Sequence, residues 1–223
     1  MRRMEIIGDP DVIADIAKAL GAHIVTRTPM QADSLRELGH DLEEMNERMQ
    51  KTLEEFQAGT RTRGSVEWWM KRDIRYFYRR AYKEGLRTGG KYEELTKADE
   101  RELVKARYKE YRYLKGFLND IENERGTMPY MQRMRMYADA LPGLFWLGMV
   151  NANLSDMRRI KWVLDEAEHC ETCIELENRV WTPRQFIAWY NEHHILPGEN
   201  TKCLSNCKCH LEDYYVHKPL DKS

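Results

Sequence analysis

Apolar residues in the first two thirds of the chain recur with the spacing of amphipathic helices. The clearest case lies between Ser34 and Phe56, where apolar residues are separated by three or four positions at every step: Leu35, Leu38, Leu42, Met45, Met49, Leu53 and Phe56. The opposite face is acidic, with eight Asp or Glu against three Lys or Arg over residues 31–58. The pattern predicts a long helix that ends in Ala58-Gly59-Thr60.

Two other segments carry helix signals at their ends. Asp9 is placed to cap a short helix that ends at Leu20, before Gly21. Ser65 is placed to cap a longer helix that runs to about Leu86 and ends at Gly89-Gly90. The apolar residues of this longer helix predict its buried face: Val66, Trp69, Ile74, Phe77, Tyr78 and Ala81.

The next helices are predicted from capping and proline signals. Thr96 and Asp99 have the spacing of a capping box, so a helix begins there and continues toward Gly126. A further helix follows Pro129 and is bent or broken at Pro142-Gly143.

Short alternating segments replace this helical periodicity near residue 157. Residues 159–164, 179–182 and 210–216 predict strands, and residues 183–192 predict a helix between two of them. The sequence therefore predicts a mostly α protein with two parts: a helical arm over residues 1–157, and a small α+β, cysteine-bearing domain over residues 158–223.

Composition limits the function classes. The 36 Lys and Arg nearly balance the 37 Asp and Glu, so overall charge indicates neither a nucleic-acid binder nor a membrane-surface protein. The longest uncharged stretch, residues 140–155, is too short and too interrupted by Pro and Gly to span a bilayer. No signal-peptide pattern follows the basic start, and we expect a cytosolic origin.

All five cysteines lie in the C-terminal part: Cys170, Cys173, Cys203, Cys207 and Cys209. A Cys-x-x-Cys pair followed by a second ligand group about 30 residues later is typical of structural zinc, and four of the five cysteines suffice for a tetrahedron. His210 is an additional neighbour of the second group. Disulfides and free thiols are the alternatives, and an odd cysteine count without an export signal disfavours disulfides. A closed four-ligand zinc would stabilise this domain and would not catalyse.

The segments 162–181 and 196–212 together resemble the C-terminal domain of the tailed-phage minor head proteins, the Mu F-like head morphogenesis family. The similarity rests on a strand with Trp162, the pair Cys170 and Cys173, a short strand with Trp181, a loop with Pro197, and the closing Cys207-x-Cys209. Many members carry His-Pro just before that Cys-x-Cys, where this chain has Leu204-Ser205. Cys203 is a candidate to replace that ligand, so the choice of fourth ligand stays open.

The resemblance implies a non-enzymatic virion component that is assembled in the host cytoplasm. It implies contact with the portal protein, the major capsid protein or both, in an oligomeric particle and with no membrane partner. From the cysteine pattern we expect Zn²⁺ to be held by four of the five cysteines, with Trp162 and Trp181 packed nearby.

Two other functions fit parts of the sequence. His193-His194 followed by Pro197 is similar to the histidine strand of HNH-type metal-dependent nucleases, although neither Asn200 nor Asn206 has the spacing of that family's asparagine. Residues 61–91 hold ten Lys or Arg, three Asp or Glu and six aromatic residues, a composition that would suit direct DNA contact by this segment or by a DNA-binding zinc module. The same composition is typical of a helix packed against an acidic neighbour.

Overall fold

The computed structural model describes residues 29–92, 94–155, 157–164, 167–198, 201–202, 207 and 209–215. The predicted helix from Asp9 to Leu20 lies outside these residues, as does Cys203. Over the described residues the chain is mostly helical, with a small three-stranded sheet near the C-terminus. This confirms the predicted fold class.

The described elements follow in the order α1 Pro29–Gln57, α2 Arg63–Thr88, α3 Lys97–Glu122, α4 Tyr130–Ala138, α5 Leu141–Ala152, β1 Arg158–Val163, α6 Glu171–Leu176, β2 Val180–Trp181, α7 Pro183–His193 and β3 His210–Tyr215.

The helix α2 lies at the centre and packs against α1, α3 and α5. Its predicted apolar face is buried except for Trp69, which is half-buried. The cap is Thr62 rather than the predicted Ser65, because the Thr62 hydroxyl accepts the backbone N–H of Ser65. The capping box of Thr96 and Asp99 is confirmed at the start of α3.

The α2 and α5 helices approach each other through glycines. A Cβ added at Gly85 would overlap the carbonyl oxygen of Phe145 and lie 2.9 Å from the amide nitrogen of Met149. A Cβ at Gly148 would overlap the carbonyl oxygen of Tyr82 in the same way. The two backbones are therefore in direct contact, and neither glycine leaves room for a side chain.

The helix break predicted at Pro142-Gly143 lies three residues earlier, at Asp139-Ala140. α4 ends at Ala138 and α5 begins at Leu141, so Pro142 lies in the first turn of α5. A proline is tolerated there because the first amides of a helix have no intrahelical partner. The proline starts the second helix and does not interrupt it.

The three strands form an antiparallel sheet in the order β2-β1-β3. On β1 the side chains alternate, and Arg158, Ile160 and Trp162 are fully buried. The Arg158 guanidinium donates to the carbonyl oxygens of Met149 and Asn153 near the end of α5 and to the Asp213 carboxylate on β3. A buried cation thus connects the C-terminal end of α5 to the sheet.

None of the helices in the described part of the chain has an apolar run long enough to cross a bilayer.

Candidate metal centre

Two short segments bring the cysteines together. α6 begins immediately after Cys170 and carries Cys173 in its first turn, so both thiols lie at one end of this helix. Cys207 and Cys209 directly precede β3. α6 was not predicted, because six residues are too few to show a helical period.

Cys173, Cys207 and Cys209 form a cluster in which all three sulfur atoms lie within 4.8 Å of one another. The Cys173 and Cys207 sulfurs are 3.7 Å apart, although 34 residues separate them in the chain. Cys173 and Cys209 are buried and Cys207 is half-buried. We call this group the cysteine cluster; it can hold a metal ion.

Cys170 lies beside the cysteine cluster, with its sulfur 3.5 Å from that of Cys173. On the other side, the Nδ1 atom of His169 is 3.5 Å from the Cys209 sulfur. Of the five predicted ligands, the structure therefore brings Cys173, Cys207 and Cys209 together and places Cys170 beside Cys173. Cys203 lies outside the described residues.

Hydrogen bonds concentrate negative charge on one sulfur of the cluster. The pKa of the Cys207 thiol is lowered to about 4, because Cys209 donates a hydrogen bond to its sulfur and, against the effect of burial, the backbone N–H groups of Gly198 and Cys209 also point at it. The pKa of Cys209 is raised, because its proton is held in that hydrogen bond and its sulfur is buried. A half-buried thiolate of this kind favours a soft cation as partner.

Two sulfur separations match those of a tetrahedral metal site, although the Cys170 sulfur does not lie within 4.8 Å of all three sulfurs of the cysteine cluster. Four thiolates bound at about 2.3 Å to one zinc ion are about 3.8 Å from one another. The observed separations of 3.5 Å and 3.7 Å are close to this value. A disulfide needs about 2.0 Å between its sulfurs, and the four described cysteines are free thiols.

The two tryptophans predicted to pack near the metal, Trp162 and Trp181, lie on the neighbouring strands β1 and β2. Trp162 is fully buried in the middle of β1, opposite Leu211 of β3. Trp181 is half-buried and packs edge-on against Phe186, with Trp189 also 5.4 Å away between ring centroids. Both stabilise the fold around the sheet.

His193 and His194 lie at the end of α7. The His193 ring stacks on Trp189, and its Nδ1 atom is 2.9 Å from the Trp189 carbonyl oxygen. His194 caps the helix in the left-handed conformation, with φ 55°. Over the described ranges, the only group of three or more metal-binding side chains is the cysteine cluster, which includes neither histidine.

The basic segment 61–91 contains the whole of α2, and acidic groups from other elements neutralise part of its charge. Arg80 pairs with Asp41 of α1 at 2.7 Å. A pair of the opposite sense joins Asp73 of α2 to Arg48 of α1 at 2.8 Å. Arg79 pairs with Glu100 of α3. The packing expected between a basic and an acidic helix is therefore present.

Sequence reasoning did not identify His169 as a neighbour of the cluster or Arg158 as the link between α5 and the sheet. His169 could have been identified because it directly precedes the Cys-x-x-Cys pair. No feature of the sequence indicated the role of Arg158. Comparisons with known protein families, with curated proteins and with solved structures found no match to this chain.

Proposed function

We propose that the chain is a non-enzymatic structural component of a tailed-phage head, a minor head protein that contacts the portal protein, the major capsid protein or both. The observation that carries the proposal is the convergence of Cys173 with Cys207 and Cys209. These residues belong to the two halves of the motif that resembles the minor head proteins, and a shared ion would explain why both halves are needed.

The metal in this proposal is zinc, held by Cys170, Cys173, Cys207 and Cys209. Thiolate ligands suit zinc, and a site closed by four of them leaves no coordination position for water or substrate. When bound, the ion would supply a cross-link between α6 and the start of β3. His169 would orient Cys209 through the contact of its Nδ1 atom with that sulfur.

The sheet is small enough to need such a cross-link. β2 has two residues, and β1 and β3 have six each. Small sheets are marginally stable in water unless other elements or a metal support them. Structural zinc contributes about 10–16 kcal/mol of apparent folding free energy in zinc-finger peptides at neutral pH.

The candidate metal site supports a structural role over a nuclease. In the described part of the chain, the only group of three or more metal-binding side chains is the cysteine cluster, and it includes neither His193 nor His194. An HNH-type nuclease needs its histidine base and its metal at the same scissile phosphate.

Metal analysis of the purified full chain tests the site. We expect one zinc per chain in the parent, and less than about a tenth of that in Cys173→Ser, because the cluster then loses its central ligand. Cys203→Ser is the matched control and is expected to keep the metal, whereas Cys170→Ser is expected to lose it. A metal-free parent, or full zinc content in Cys173→Ser, would refute the metal site.

Particle analysis tests the role in the head. We expect mass spectrometry to detect the chain in purified particles or precursor heads from the phage that encodes it. We also expect deletion of its gene to lower the yield of filled heads. Normal particles without the chain, together with its absence from precursor heads, would refute the proposal. The phenotype of Cys173→Ser, compared with Cys203→Ser, would then show whether the metal site matters to assembly.

A further inference from the structure

An open groove follows the outer face of α2 between α1 and the start of α3. It has a volume of about 1090 Å³ and is lined by eight Lys or Arg against four Asp or Glu. From Arg72 to Arg87 along α2 it runs for about 22 Å at the helical rise of 1.5 Å per residue. We call it the basic groove. Its lining has an excess of four positive charges in a protein whose net charge is −1.

Most cations of the basic groove have partners on the chain. Arg80 pairs with Asp41, Lys91 with Asp99, and Arg87 with Glu84. Arg75 on α2 and Arg107 on α3 form no ion pair with any residue in the described ranges. The Nε of Arg107 donates to the Leu103 carbonyl oxygen, which leaves its two terminal nitrogens as donors. Two guanidinium groups from different helices therefore offer hydrogen bonds to an anion in this groove.

Aromatic side chains accompany these cations. Tyr92 lines the groove and is 67% exposed, whereas the Tyr76 ring, 47% exposed, already packs against the guanidinium groups of Arg48 and Arg80. Exposed aromatic rings beside a phosphate-binding groove provide faces on which unpaired bases stack. A double helix keeps its bases stacked on one another and presents only its backbone to such a groove.

We infer that the basic groove binds the backbone of single-stranded nucleic acid, with Arg75 and Arg107 on phosphates and Tyr92 against a base. The segment 61–91 contributes only part of this surface, because Arg107 and Tyr92 lie outside it. This inference does not depend on the metal site or on a role in phage heads.

Fluorescence anisotropy with a labelled 12-nucleotide oligothymidine tests the inference on the full chain. With the two phosphates of Arg75 and Arg107 neutralised, the logarithm of affinity should fall with a slope of about −1.4 against the logarithm of salt concentration, or about sevenfold between 50 and 200 mM salt. Arg75→Gln combined with Arg107→Gln should weaken binding about tenfold at 50 mM salt and reduce that slope by about 1.4. Tyr92→Leu should weaken binding at least about fivefold.

The matched control combines Arg179→Gln with Arg184→Gln, two exposed arginines in the C-terminal part of the chain. It removes the same charge and should leave the affinity within about twofold of the parent. Equal losses in the two double variants would show a nonspecific charge effect and overturn the inference, as would no binding at 50 mM salt. Tighter binding of a 12-base-pair duplex, with no effect of Tyr92→Leu, would assign the groove to duplex DNA and also refute it.

Discussion

Replacement of Gly85 by alanine tests the direct backbone contact between α2 and α5. In an open helix this substitution stabilises, because alanine has a helix propensity about 1 kcal/mol better than glycine. At Gly85 the new Cβ would overlap the Phe145 carbonyl oxygen and lie 2.8 Å from its carbonyl carbon and 2.9 Å from the Met149 nitrogen. These are main-chain atoms, so no rotamer change can relieve the overlap.

The expected change in the free energy of unfolding is the difference between the cost of overpacking and the gain in helix propensity. Overpacking in a well-packed core costs about 1–3 kcal/mol and occasionally more, and contact with the main chain places Gly85 at the upper end. After the gain in helix propensity, we expect Gly85→Ala to lower the free energy of unfolding by about 2 kcal/mol. Separating α2 from α5 would also loosen the contacts of Tyr82 and Phe145, both fully buried.

Gly116→Ala is the matched control. Gly116 lies in α3, is exposed, and has no atom within 4 Å of the position that a Cβ would occupy. Urea unfolding followed by circular dichroism should show a gain of about 0.5–1 kcal/mol for Gly116→Ala and a loss for Gly85→Ala. Equal or higher stability of Gly85→Ala would refute the close crossing of α2 and α5.

Two further predictions concern buried charge. Arg158→Met should cost about 3 kcal/mol in urea unfolding at pH 7, because it leaves Asp213 and the α5 carbonyl groups without their buried donor; an equal loss in Arg159→Met on the same strand would contradict this. Burial raises the pKa of Asp99, but hydrogen bonds, the largest from Lys91, outweigh it and hold that pKa below its ordinary value of 3.8. The ionised carboxylate therefore stabilises the fold above about pH 4, and this contribution is lost as the pH falls through the lowered pKa. Unfolding free energies measured between pH 5 and pH 2.5 should decline less steeply in Asp99→Asn than in the parent, and parallel curves would refute the role of this carboxylate.

The sequence by itself determined the positions of most secondary-structure elements. The apolar stripe of residues 34–56, the capping box of Thr96 and Asp99, and the alternation in residues 159–164 depend on side chains a few positions apart. Such signals depend on residues that are close in the sequence, so they predict an element without knowledge of the tertiary structure. The sequence also identified the two cysteine groups as candidate metal ligands, because Cys-x-x-Cys and Cys-x-Cys are each local patterns.

The tertiary structure alone decided which distant groups meet. Nothing near Gly85 in the sequence indicates that the Phe145 backbone lies against it, and nothing near Arg158 indicates that its guanidinium reaches the end of α5. The proximity of Cys173 to Cys207, and the joining of Arg75 and Arg107 in one groove, likewise depend on how the helices and the sheet pack. Such contacts form when whole faces of helices and sheets are buried against one another. The residues next to Gly85 or Arg158 in the sequence therefore do not predict them.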